Sequence, residues 1–266
     1  MIHLTSKNIQ IDRPTAVAIG KFDGVHRGHM ALLTELKRVA NMRGLATIVL
    51  TFTPHPVAFF KKTHMPLLLD PREKLELFES IGFDYFLEYT FDEEFAQTPP
   101  EVFLQEVVSK KLQAQSLVVA EGYRFGKGGA GTVELARRVC SGLGIDVYEI
   151  GHVVHDGHKI SSEFLRKLVG ERDFSLLSAL NGRDFFVTGH GKFSGLSTVS
   201  LAPHPDKLLP PNGVYATTTT VDGKIYNSVT NIGFNSAVET VIADFDADFS
   251  DAEIVIAFHS WLRDEL

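Results

Sequence analysis

From residue 15 onward, short apolar runs alternate with amphipathic stretches: TAVAIG, HMALLTELKRVANMRG, LATIVLTF, PREKLELFESIG and DYFLEY. The alternation continues through PPEVFLQEVVSKKL, SLVVAEG, TVELARRVCSGLG and IDVYEIGHVV. The bare runs suit strands covered on both faces, and the amphipathic stretches carry their apolar residues at helical spacing. Strand–helix–strand punctuation of this kind predicts an α/β domain built on a doubly wound parallel sheet, Rossmann-like in plan. Two further helical segments, SSEFLRKLVGE and DFSLLSALNG, close this domain, which is placed at 1–180.

Near Asn181 the periodicity moves from helical to alternating. FFVTGHG, GVYATTTTV, KIYNSVTNIG, VETVIADF and EIVIAFHSWL read as strands, and Asp222-Gly223 between two of them is a type I′ hairpin signal. The expectation for 181–266 is a small antiparallel β-barrel.

Composition narrows the function classes. The chain has 266 residues, 44% hydrophobic and 22% charged, as a soluble two-domain protein would. Its net charge of −7 argues against a nucleic-acid or anionic-membrane binder, which needs a positive field, so an anionic ligand would require a local cluster. One cysteine, Cys140, excludes an intrachain disulfide and reads as a small buried residue. No basic start with an apolar core opens the chain, and no apolar run approaches the ~20 residues of a membrane span. A cytoplasmic location is the expectation.

The most informative stretch is GKFDGVHRGHMALL (20–33), in which a strand runs through a glycine-punctuated turn directly into a helix. Gly20, Gly24 and Gly28 allow sharp turning and close approach, and the helix start aims N–H groups and a positive dipole end at the same point. This predicts an anion site. His26 and His29 can face one volume and donate hydrogen bonds to phosphate oxygens as charge develops. A zinc pair would need further ligands, and neither cysteines nor an H-E-x-x-H pattern supplies them.

The segment GxFDGxHxGHxxLL resembles the signature of the prokaryotic FAD synthetases, within the HxGH nucleotidyltransferases. Phe22, Asp23 and Gly24 ahead of the HxGH point to the flavin branch. Three later segments resemble that family in the expected order. TFTPHP (51–56) holds His55 and Pro56 in a proline-restricted loop. VVAEGYRFGKGGAG (118–131) resembles V-V-G-x-[DN]-F-x-F-G and offers Tyr123, Arg124, Phe125 and Gly126 as flavin or loop contacts, with Gly122 where the family has Asp or Asn. KISSEFLRKLV (159–169) resembles I-S-S-T-x-[IL]-R, with Ser161, Ser162 and Arg166 suited to a triphosphate and Glu163 in place of Thr.

The resemblance implies an FMN adenylyltransferase: FMN phosphate attacks the α-phosphorus of ATP, with magnesium on the phosphates, giving FAD and pyrophosphate. His26 and His29 would be the catalytic residues; Asp23 is a candidate metal ligand or a turn cap. Residues 181–266 resemble the riboflavin kinase barrel of two-domain members, with Glu239 at the catalytic base and Arg263 matching an arginine of the terminal helix. Where that family reads G-F-P-T-A-N, this chain has GLSTVS (195–200), keeping Gly195 and Thr198 but with Ser200 for Asn. The expectation from that loss is absent or very weak kinase activity, with a bifunctional kinase/synthetase as the alternative and a non-catalytic flavin- or nucleotide-binding module as a second.

Overall fold

The computed structural model describes residues 1–194, 197–234, 237–245 and 251–264. Its first compact unit comprises Met1–Met65 with Lys74–Lys159, and its second Pro66–Glu73 with Ile160–Leu266.

In the first unit, strands β1 (Ile2–Thr5), β2 (Thr15–Ile19), β3 (Ala46–Thr53), β4 (Tyr85–Thr90), β5 (Ala114–Ala120) and β6 (Asp146–Ile150) form one sheet in the order β1-β4-β3-β2-β5-β6. Every pair in it is parallel. Strand β2 is buried along its whole length, which is why TAVAI reads as an uninterrupted apolar run. The chain moves outward from β2 to β3 and β4, then returns to the opposite side of β2 as β5. The strand order reverses between β2 and β5, and the loops leaving those two strands open a crevice at the carboxyl edge of the sheet.

The helices here are α1 (Arg27–Arg43), α2 (Pro56–Lys61), α3 (Pro71–Ile81), α4 (Glu93–Ala96), α5 (Pro100–Val102) and α6 (Val133–Gly142). Helix α1 buries Leu32, Leu33, Leu36, Val39 and Ala40 on one face and ends at Gly44 in the left-handed conformation. The segment expected as a plain helix after α5 is instead wound as a π-helix over Phe103–Lys111. A short hairpin, β7 (Val154–His155) with β8 (His158–Lys159), follows β6. Among the described residues no helix is long and apolar enough to cross a membrane.

In the second unit, helices α7 (Ser162–Glu171) and α8 (Phe174–Asn181) precede a closed antiparallel barrel. Its strands are β9 (Phe185–Ser194), β10 (Thr198–Pro203), β11 (Gly213–Val221), β12 (Lys224–Ile232), β13 (Val238–Ile242) and β14 (Asp251–Arg263), closing in the order β10-β13-β12-β11-β14-β9. The expected hairpin joins β11 to β12, with Asp222 and Gly223 at φ 49° and 75°, both positive as a type I′ turn requires. Phe174 of α8 packs on Phe185, Tyr215 and Phe258 of the barrel, so α8 belongs to this core. Strand β14 continues through Arg263, where the resemblance implied a terminal helix. The strand is extended by its pairing with Val214 of β11.

The barrel interior is partly polar. Alternate residues of β11 point inward, placing Thr217 and Thr219 among the hydroxyls of Ser228, Thr230 and Thr240. Contacts of 2.7 Å (Thr217–Ser228), 2.8 Å (Thr217–Thr230) and 2.9 Å (Thr230–Thr240) satisfy them within the core. The segment 66–73 is held in the same unit by a buried ion pair. Lys207 Nζ lies 2.5 Å from Glu73 Oε2 and donates to the Leu68 carbonyl at 2.9 Å, while Glu73 Oε1 accepts from the Thr188 N–H and hydroxyl. Burial raises the Glu73 carboxyl above its ordinary range, with Lys207 pulling the other way.

Candidate active site

The turn between β2 and α1 is strained where it is most buried. Phe22 and Val25 hold φ of 46° and 41°, a region costly for bulky and β-branched residues, on either side of Gly24 at 84°. Both side chains are fully buried, and that packing holds the backbone in place. Phe22 lies across Gly20, where an added Cβ would come within 2.9 Å of its ring, and packs edge-on against Phe78. Its ring also meets that of His29 at 5.2 Å, so Phe22 supports the histidine. Asp23 is fully buried in the same turn.

His26 is the N-cap of α1: its Nδ1 accepts the His29 N–H at 3.2 Å. An imidazole that accepts at Nδ1 carries its proton at Nε2, which leaves Nε2–H as a donor. The His26 and His29 rings are stacked, 3.9 Å between centroids and 14° from coplanar. Gly28 is the second residue of the helix, where backbone N–H groups have no partner within it. The two histidines and the positive end of a 17-residue helix therefore share one place, at the mouth of β2.

Beside this turn is a cavity of about 250 Å³, walled by Phe52, Phe60, Phe91, Phe95, Phe103 and Tyr123. Gly20, Pro56, Arg124, Phe125 and Gly126 also line it, so the loops after β2, β3 and β5 meet there. Tyr123 stacks on Phe125 at 5.6 Å, and burial pushes its phenol well above the ordinary range, keeping it a neutral donor. His55 is outside the lining; its Nδ1 accepts the Val57 N–H at 3.2 Å and caps α2, which carries Pro56 into the wall. Sequence reasoning missed Phe91 and Phe95, which belong to no motif, and did not single out Phe52 within TFTPHP. The 20 phenylalanines, dense in DYFLEYTFDEEFAQ, were the available signal.

The remaining proposed nucleotide residues stand on α7 in the second unit. Ser161 caps the helix, accepting the Phe164 N–H at 3.2 Å; Ser162 is its first residue; Arg166 Nε donates to the Pro66 carbonyl at 3.1 Å. Glu163 is exposed. On the barrel, the register sets Ser200 opposite Glu239 and Glu239 opposite Asn231, one row across three strands. Thr198, two residues from Ser200, shares that side, and Glu239 is exposed. Gly195 lies outside the described residues.

Comparison with known proteins matches residues 8–164 to the family described as FAD synthetase and residues 186–266 to that described as riboflavin kinase. A Bacillus subtilis (strain 168) protein named bifunctional riboflavin kinase/FMN adenylyltransferase is 29% identical over 99% of this chain and 90% of its own. The Escherichia coli (strain K12) protein of the same name is 30% identical over 94% of this chain and 84% of its own. A solved structure described as a macrolide-efflux protein from Streptococcus pneumoniae shares the fold, with a TM-score of 0.90 over 100% of this chain and 92% of its own at 22% identity. The kinase match and the bifunctional names favour the two-activity alternative over the expected loss of the kinase step.

Proposed function

The chain belongs to the FAD synthetase family, with a riboflavin kinase domain behind the synthetase domain, and from that premise we propose that it phosphorylates riboflavin on its barrel and adenylylates FMN on its parallel-sheet unit. It is a nucleotidyltransferase, and FAD synthesis is its chemistry.

The observation that carries the adenylyltransferase reading is the stacked His26–His29 pair at the start of α1, beside an aromatic cavity. In the transfer, an FMN phosphate oxygen forms a bond to the α-phosphorus of ATP and the bond to pyrophosphate breaks. Negative charge grows on the non-bridging oxygens and on the leaving group. Nε2–H of His26, His29 and the helix-start N–H groups are donors already oriented for that charge, and such donors are each worth about 10²–10³ in rate. The aromatic walls suit a planar tricycle, which stacks on them in offset or edge-on geometry. On α7, Ser161, Ser162 and Arg166 carry the hydroxyl and guanidinium chemistry that a β- and γ-phosphate takes.

Among the described residues no three His, Cys, Asp or Glu side chains converge as a metal cage. Magnesium fits as an ion carried on the nucleotide phosphates, with water and at most one or two side chains such as Asp23 completing its shell. Its contribution would be neutralisation of the polyphosphate charge.

The row Ser200–Glu239–Asn231 supports the kinase reading, because it sets a carboxylate between two polar side chains on one open face. Ser200 is shorter than the family's Asn, so the metal–nucleotide should be held less tightly than usual. Product chromatography after incubation with ATP and magnesium tests both halves. FMN supplied should give FAD; riboflavin supplied should give FMN and then FAD. His26→Asn keeps a capping oxygen for the His29 N–H but removes the imidazole donor, and should lower FAD formation about 10²-fold without unfolding α1. No FAD from FMN in the unmodified protein would overturn the synthetase reading; no FMN from riboflavin would overturn the kinase reading alone.

A further inference from the structure

Lys21 and Arg124 are the charged side chains among the described residues lining the aromatic cavity, and no carboxylate lines it. In a protein of net charge −7, the charged side chains that line this one small cavity are both basic. They come from different loops. Lys21 follows β2 and Arg124 follows β5, so they flank the point where the strand order reverses. Both occupy unspecified positions of the motifs they interrupt, GxFDG and F-x-F-G; the resemblance offers Arg124 as a flavin or loop contact without saying which part of the flavin it meets, and says nothing about Lys21. Each is exposed, and a Cβ added at Gly129 would lie 3.6 Å from the Arg124 Cβ.

We infer that Lys21 and Arg124 form the clamp that recognises the phosphate of the flavin acceptor and so makes this site select a phosphorylated flavin over riboflavin. The inference rests on the adenylyltransferase reading and adds to it. An isoalloxazine ring is satisfied by the aromatic walls alone and gives no reason for two cations. A phosphate monoester carries about −1.5 to −2 charges at neutral pH, which two cations match. Arg124 offers a planar fork to two oxygens and Lys21 a mobile point charge to the third side. The oxygens not engaged remain available to attack the nucleotide. The cation pair is therefore a specificity and positioning device; the charge that develops at the α-phosphorus is left to His26 and His29.

The test uses the full chain and compares Lys21→Gln, Lys21→Arg and Arg124→Gln in FAD formation, with lumiflavin as a competitive probe that has the ring but no ribityl phosphate and cannot be phosphorylated. The expected result is that Lys21→Gln and Arg124→Gln each raise KM for FMN about 10-fold or more, as loss of a charge-assisted hydrogen bond does. KM for ATP, kcat and the lumiflavin inhibition constant should stay as in the unmodified protein, and Lys21→Arg should restore most of the FMN affinity. A rise in KM for ATP, an equal loss of lumiflavin binding, or a fall in kcat at unchanged KM for FMN would overturn the inference while leaving the synthetase reading intact. Failure of the unmodified protein to make FAD from FMN would overturn that reading, and the inference with it.

Discussion

At Gly126, φ is 70° and an added Cβ would stand 2.7 Å from the Cα and N of Pro100, whereas at Gly122, φ is 69° and an added Cβ meets nothing within 4 Å. These two glycines look alike in the sequence and differ only in what the fold brings against them. Gly126→Ala forces a backbone shift on top of the strain of φ 70° with ψ −175°, a region kept almost to glycine and costing about 1–3 kcal/mol, and should lower the melting temperature by several degrees along with FAD formation. Gly122→Asn restores a residue type the family carries there, in the conformation Asn tolerates best after glycine, and should melt close to the unmodified protein. Paired thermal melts decide it: equal damage from both changes would sink the argument. The strain at Phe22 and Val25 was likewise illegible in the letters, since the burial that holds it is tertiary. The place of His26 at the helix start was legible in the letters; its capping bond to His29 was not.

Among the elements, those with strong periodicity were readable. Strands β2 to β6 and helices α1, α3 and α6 were expected, as was the Asp222-Gly223 turn, because buried parallel strands and type I′ turns impose local composition, whereas the short helices α2 and α4 were not. Strand β1 was not, since its pattern buries only Leu4 and its partner is β4, distant in sequence. Strand β10 was read as a damaged loop motif because Thr198 and Ser200 face outward and only Val199 and Leu201 supply alternation. The segment 66–73 gave no sign that it belongs with the barrel. Its anchor is the Glu73–Lys207 pair, whose two side chains are both 0% exposed. Removing one partner strands the other charge, so Glu73→Gln should cost about 3–5 kcal/mol, read as a loss in chemical denaturation. The double change Glu73→Met with Lys207→Met should recover most of that stability. If Glu73→Gln were neutral, the pair would not be the anchor.

At the scale of the whole molecule, the two proposed activities belong to separate units only if each survives loss of the other. The synthetase chemistry is assigned to the turn after β2, and the kinase chemistry to the outer face of a barrel with its own core of Tyr215, Phe258 and a satisfied hydroxyl network. Glu239 is exposed, so Glu239→Gln preserves shape and removes only the carboxylate proposed to take the riboflavin hydroxyl proton, an effect worth about 10²–10⁴ in rate. That variant should form almost no FMN from riboflavin yet make FAD from supplied FMN as the unmodified protein does. His26→Asn should do the opposite and accumulate FMN when given riboflavin. Coupled progress curves with riboflavin as the starting flavin separate these patterns, because the intermediate is chromatographically distinct from both ends. If Glu239→Gln kept full kinase turnover, the row with Ser200 and Asn231 would not be the phosphorylation site. If it also lost FAD formation from FMN, the two chemistries would not be independent, and their assignment to separate units would fall.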